Sequence, residues 1–140
     1  MSEIKIPDVS PAEAWQMLKQ SRAVLLDVRT TMEYQYVGHP VGAVHVPWKE
    51  TPDWQTDPQF VAKVKQALTG CNDEEPVGDL PVLTICRSGK RSLAAAEALA
   101  QQGFSEVYNI AEGFEGDLDE NNHRNTKNGW RFHDLPWEQT

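Results

Sequence analysis

Apolar positions in this chain fall in short runs, and their spacing changes from run to run. Val24-Leu25-Leu26-Asp27-Val28 and Val82-Leu83-Thr84-Ile85 are near-continuous apolar runs of strand length. That is the pattern of strands buried on both faces. Ile4-Lys5-Ile6, Ala43-Val44-His45-Val46 and Glu106-Val107-Tyr108-Asn109-Ile110 read as further short strands. Between them the spacing turns helical. Ser10-Pro11-Ala12-Glu13 reads as a helix start, with Ser10 as N-cap, Pro11 at the first helical position and Glu13 placed for a capping box. This helix runs to about Gln20. Thr30 or Thr31 caps a short helix through Tyr36, broken by Gly38-His39-Pro40. Phe60, Val61, Val64 and Leu68 lie at helical spacing, and a last helix runs from Ser92 to Gln102, ended by Gly103. Trp48 to Asp57 and Gly70 to Leu80 read as irregular. Strands alternating with helices predict an α/β fold with a mostly parallel sheet covered on both faces.

The run Val82 to Ile85 stops at Cys86. A polar segment follows, Arg87-Ser88-Gly89-Lys90-Arg91-Ser92, and then the alanine-rich helix. Ligands of parallel sheets bind beyond the carboxyl ends of the strands, and Cys86 is at such an end. Asp27 and Arg29 end another strand and are candidate neighbours. If the segment curls into a nest before the helix, its backbone N–H groups converge on the sulfur and stabilise an anion there. Gly89 accepts backbone angles barred to other residues. Ser88 and Ser92 offer hydroxyl donors, and Arg87, Lys90 and Arg91 add charge. All of these favour thiolate over thiol. Buried cysteines are often structural packing, but cations and a glycine at a helix start make a poor setting for one.

Composition narrows the alternatives. The chain has 140 residues, which suits one domain spanning 1–140, and no run approaches the ~20 apolar residues a membrane span needs. A net charge of −8 argues against non-specific nucleic-acid binding. Against it, the cations after Cys86 suit a small anionic ligand. No secretory leader is visible at the N-terminus, so the cytoplasm is the expected location. The second cysteine, Cys71, sits beside Asn72-Asp73-Glu74-Glu75, where negative charge disfavours a thiolate. In a reducing compartment both thiols are expected free. His39, His45, His123 and His133 show no metal-ligand spacing, and no glycine-rich nucleotide loop is present. No metal and no cofactor are expected.

Cys86-Arg87-Ser88-Gly89-Lys90-Arg91-Ser92 resembles the active-site loop of the rhodanese family of sulfurtransferases. Other segments resemble that family in the same order: Leu25 to Arg29 with Glu33-Tyr34, Gly38 to Pro47, and Gly103-Phe104 with Val107 to Gly113. The resemblance covers about residues 4 to 116. The Gly129-Trp130 to Pro136-Trp137 tail resembles the end of single-domain members, and the extension 117–140 is expected to pack on the domain through its aromatic residues. The resemblance implies a three-layer α/β/α fold around a five-stranded parallel sheet. It implies a thiosulfate sulfurtransferase in which Cys86 takes the outer sulfur of thiosulfate as a persulfide and passes it to cyanide or a thiol. Arg87, Lys90 and Arg91 would bind the anionic donor, and the loop from Arg87 to Ser92 would hold the persulfide. Arg29 would reach the substrate or brace the loop through Asp27. Two alternatives stand beside this. One is a persulfide carrier that exchanges sulfur with a protein partner. The other is a phosphatase or arsenate reductase of similar fold; those resemble a Cys-x5-Arg pattern, whereas counting here gives Cys86-x4-Arg91.

Overall fold

The computed structural model describes residues 5–69 and 76–140. Its centre is a parallel sheet of five strands in the order β1-β8-β7-β2-β4. These are β1 (Asp8–Val9), β2 (Val24–Asp27), β4 (Val44–His45), β7 (Val82–Ile85) and β8 (Val107–Ile110). Alternation along the two central strands divides the core. Leu26, Val28, Val82 and Cys86 face one side, and Leu25, Leu83 and Ile85 the other. The first side is covered by α2 (Phe60–Leu68) and α3 (Lys90–Gln101), through Phe60, Val64, Leu68, Ala95, Ala96 and Leu99. The second is covered by α1 (Pro11–Gln20) through Ala14, joined by Phe114 and Trp130. The three-layer α/β/α arrangement follows from strands that are apolar on both faces.

The predicted capping box of α1 is present. Ser10 N donates to Glu13 Oε1 at 3.0 Å, and Glu13 N donates to Ser10 Oγ at 3.1 Å. Thr30, of the two candidates, caps the next turn, with Glu33 N donating to its Oγ1 at 3.2 Å. That turn differs from the expected helix. Over Glu33–Val37 it widens to a π-helix, and Gly38 N–H reaches back to the Glu33 carbonyl at 3.3 Å. The extra residue per turn carries the Gly38 carbonyl onto the Arg29 guanidinium at 2.6 Å.

Three further expectations shift. The first strand is Asp8–Val9, not Ile4-Lys5-Ile6, of which Ile4 lies outside the described residues. Pairing with β8 begins only at the Pro7 carbonyl, which accepts from Asn109 N at 2.9 Å. The stretch 48–57 is not irregular throughout: β5 (Lys49–Glu50) and β6 (Gln55–Thr56) form a small antiparallel ladder. His39-Pro40, expected only as a break, forms β3 and pairs antiparallel with β9 (Trp137–Glu138) from the tail. Of the tail's aromatics, Phe132 and Trp137 are exposed and Trp130 is the one inside. Trp130 is fully buried, meets Trp15 edge-on, and its indole N–H donates to the Pro136 carbonyl at 2.9 Å. No helix among the described residues is long and apolar enough to cross a membrane.

Candidate active site

The register between β2 and β7 sets Asp27 beside Ile85. This brings the Asp27-Val28-Arg29 end of one strand level with Cys86 at the end of the next. The chain then turns sharply. Helix α3 begins at Lys90, two residues before the expected start, so Lys90, Arg91 and Ser92 form its first turn. Gly89 makes this possible. Its φ is +105°, and a Cβ there would drive into the Ala111 carbonyl oxygen.

Cys86 lies at the floor of this turn with 1% of its surface exposed. Its Sγ receives the Gly89 N–H at 3.1 Å and lies 3.3 Å from Ser92 Oγ. Arg87 and Lys90 are exposed and make no ion pair among the described residues. Ser88 is half-buried between them. The loop is held from behind. Phe114 N donates to the Cys86 carbonyl at 2.8 Å, and Glu115 N donates to the Arg87 carbonyl at 3.0 Å. Gly113 permits that approach, because a Cβ on it would fall 2.5 Å from the Arg87 backbone. Below, Thr84 Oγ1 donates to the Ser92 carbonyl at 3.0 Å and ties α3 to the central strand.

Arg91 is brought to the loop already paired. Its two terminal nitrogens donate to the two oxygens of Glu33 at 2.7 and 2.9 Å, and its guanidinium lies over the Trp54 ring. The side chains of the pair are only 14% and 17% exposed. Burial alone would raise the Glu33 carboxyl. The Arg91 hydrogen bonds and charge, with the Thr30 hydrogen bonds, outweigh burial and hold it at about 2. Arg91 is shifted upward in turn. Burial opposes its charge, but the Glu33 carboxylate and then the nearby Cys86 sulfur favour it.

Arg29 is placed as a brace. No part of it is exposed, and its Nε and Nη2 donate to the Asp27 carboxylate, at 3.0 Å and 2.6 Å for the shortest pairs. Its flat face lies over Phe114. Its Nη1, also buried, has no hydrogen-bond partner among the described residues. His39 and His45 both stack on the Tyr34 ring, and they bond the backbone carbonyls of Tyr34 and Arg29 respectively. Cys71 lies outside the described residues.

Beside the loop is a cleft of about 350 Å³, with Glu33, Trp54, Arg87, Glu115 and Arg124 among its lining residues. Sequence reading singled out neither Glu33 nor Asn109 as site residues. A signal existed for both. Thr30-x-x-Glu33 is itself a capping-box pattern, and Asn109 is the amide in an otherwise buried strand.

Comparison with known proteins agrees with this geometry. The family model described as "Rhodanese-like domain" matches residues 10–120. The chain is 31% identical over 109 residues to the thiosulfate sulfurtransferase GlpE of Actinobacillus succinogenes, covering 78% of this chain and 81% of that one. The structure matches the crystal structure of Rv0390 from M. tuberculosis with a TM-score of 0.81 and 38% identity, over 98% of this chain and 100% of that one. It shares its fold with the human single-domain sulfurtransferase TSTD1, at a TM-score of 0.54 and 24% identity, over 79% of this chain and 93% of that one.

Proposed function

This chain belongs to the rhodanese-like family, and from that premise we propose that it is a sulfurtransferase working through a Cys86 persulfide, with thiosulfate as donor. The observation that carries the reading is the Gly89 N–H aimed at Cys86 Sγ at 3.1 Å, at the head of α3. Backbone donors at a helix start favour a negative sulfur.

In the first half-reaction the thiolate attacks the outer sulfur of thiosulfate. A new S–S bond forms at Cys86, the old S–S bond breaks, and its electron pair leaves with sulfite. In the second, a thiophilic acceptor such as cyanide attacks the outer sulfur and leaves as thiocyanate, which restores the thiolate. Arg87 and Lys90, exposed and unpaired among the described residues, attract the dianionic donor. Arg91 adds a fixed positive charge nearby. The buried sulfur admits the terminal atom of a donor rather than a bulky group, and the four residues between Cys86 and Arg91 leave a small cradle. No metal or organic cofactor enters the scheme.

A second reading has its own support. Met32 and Trp54 are exposed in the lining of the cleft beside Arg87, which suits a protein that delivers or collects the sulfur.

The test is intact-mass spectrometry after thiosulfate treatment, with Cys86→Ser alongside. The expected result is a gain of one sulfur atom, about 32 Da, absent from the folded variant and discharged by cyanide as thiocyanate, the mark of covalent catalysis. No gain from thiosulfate, but a gain from a persulfide-bearing protein donor, would replace thiosulfate transfer with the carrier role. Hydrolysis of an aryl phosphate without any sulfur adduct would overturn both.

A further inference from the structure

Ser92 Oγ has two neighbours that want the same proton. It lies 2.6 Å from Asn109 Oδ1 and 3.3 Å from Cys86 Sγ. A hydroxyl carries one hydrogen and can donate once. An amide oxygen only accepts. The sulfur donates as a thiol and accepts as a thiolate. Two arrangements therefore exist. With a thiol, the S–H points at Ser92 and Ser92 donates to Asn109. With a thiolate, Ser92 can support the sulfur only by turning from Asn109, which leaves Asn109 Oδ1 unpaired in a buried site.

Asn109 cannot relieve this by rotating its amide. Its Nδ2 donates to Asp8 Oδ1 and to the Gly89 carbonyl, each at 3.2 Å. Rotation would set its oxygen against two acceptors. Asp8 is held opposite Asn109 by the register of β1 on β8. The acceptor facing Ser92 is thus locked by groups on the first strand and on the loop, while the hydroxyl it competes for is on α3.

We propose that Asn109 is a positioning residue that competes with the Cys86 sulfur for the single Ser92 proton and so sets how far Ser92 supports the anionic sulfur. The Cys86 proton itself goes to solvent, and Ser92 only reorients. The consequence for function rests on the sulfurtransferase reading: once the charge has moved to the outer sulfur of the persulfide, Ser92 is free to return to Asn109. As the acceptor removes the outer sulfur, the electron pair of the breaking S–S bond returns to Cys86 Sγ and calls Ser92 back, so the competition weighs on both half-reactions.

The test is the rate of Cys86 alkylation by iodoacetamide at neutral pH, in a Cys71→Ser background so that one thiol is read. Alkylation needs a thiolate but no sulfur donor, so it judges this proposal even if thiosulfate is not a substrate. Ser92→Ala should slow it about tenfold, the scale of one hydrogen bond to a charged group. Ser92→Thr, which keeps the hydroxyl, should restore most of the rate. Asn109→Ala should speed alkylation several-fold, because the hydroxyl is released to the sulfur, and should change nothing once Ser92→Ala is also present. Asn109→Leu, which fills the space without an acceptor, should behave as Asn109→Ala. In turnover, both Asn109 variants should change kcat/KM for the donor and for the acceptor, and neither change should survive once Ser92→Ala is also present. Slowing of alkylation by the Asn109 variants, or an equal effect with and without Ser92→Ala, would overturn the proposal and leave Asn109 a structural amide.

Discussion

Glu33 shows how one carboxylate can serve both stability and the site. It holds Arg91 by two hydrogen bonds and accepts from Thr30 at the start of its own turn. Its ordinary value is 4.5 and its folded value about 2. Between those values the unfolded chain binds a proton that the folded chain refuses, so stability falls as acid is added. The contribution is whole above about pH 4.5 and is lost as the pH falls toward about 2. Glu33→Gln leaves Arg91 mostly buried without its counter-charge. It should lower stability at neutral pH by about 1–3 kcal/mol. It should also flatten the acid limb of the stability curve, read as urea midpoints on either side of pH 4.5. A variant that tracks the parent in acid would mean the pair is not formed in solution. The same pairing fixes the place of the Arg91 guanidinium beside the loop.

At the scale of elements, the site is a turn between β7 and α3 clamped by a second turn after β8. The clamp works through backbone, with the N–H groups of Phe114, Glu115 and Gly116 donating to the carbonyls of Cys86 and Arg87. Backbone clamps depend on close approach, which is why Gly89 and Gly113 stand where they do. Gly89→Ala meets both a positive φ and the Ala111 carbonyl. We expect a loss of about 2–4 kcal/mol and a fall in sulfur transfer of more than tenfold, since the N–H that faces Cys86 moves. Denaturant melts and thiocyanate release measure the two effects. Unchanged transfer in a stable variant would show that the Gly89 amide is not a working donor.

For the whole molecule, the two core faces divide the labour. The α2–α3 side carries Cys86, and the α1 side carries the tail. Trp130 links the sides: its ring is buried on the α1 side, and its backbone N–H donates to the Gly113 carbonyl at 2.8 Å, in the segment that clamps the Cys86 loop. Trp130→Ala should cost about 3–5 kcal/mol, as for other buried large-to-small changes. It should also raise hydrogen exchange at the Phe114 and Glu115 amides before the strand amides of β7. If those amides stayed protected until global unfolding, the tail would be a cover and not a support.

The sequence alone determined what depends on neighbours a few positions apart. Apolar runs of strand length placed β2, β7 and β8, the Ser10 capping box placed α1, and the glycine and cations after Cys86 marked the candidate loop. These patterns are local because a strand's period, a helix cap and a tight turn are satisfied within one element. Tertiary structure decided everything that needs a partner from a distant segment. It moved β1 to Asp8–Val9, paired His39-Pro40 with the tail, and widened the Glu33 turn around Arg29. It matched Glu33 to Arg91 and set Asn109 beside Ser92. None of these has a local signature of its partner. Each follows from burial: a charge or amide taken out of water must find whichever complementary group the packed layers bring within reach.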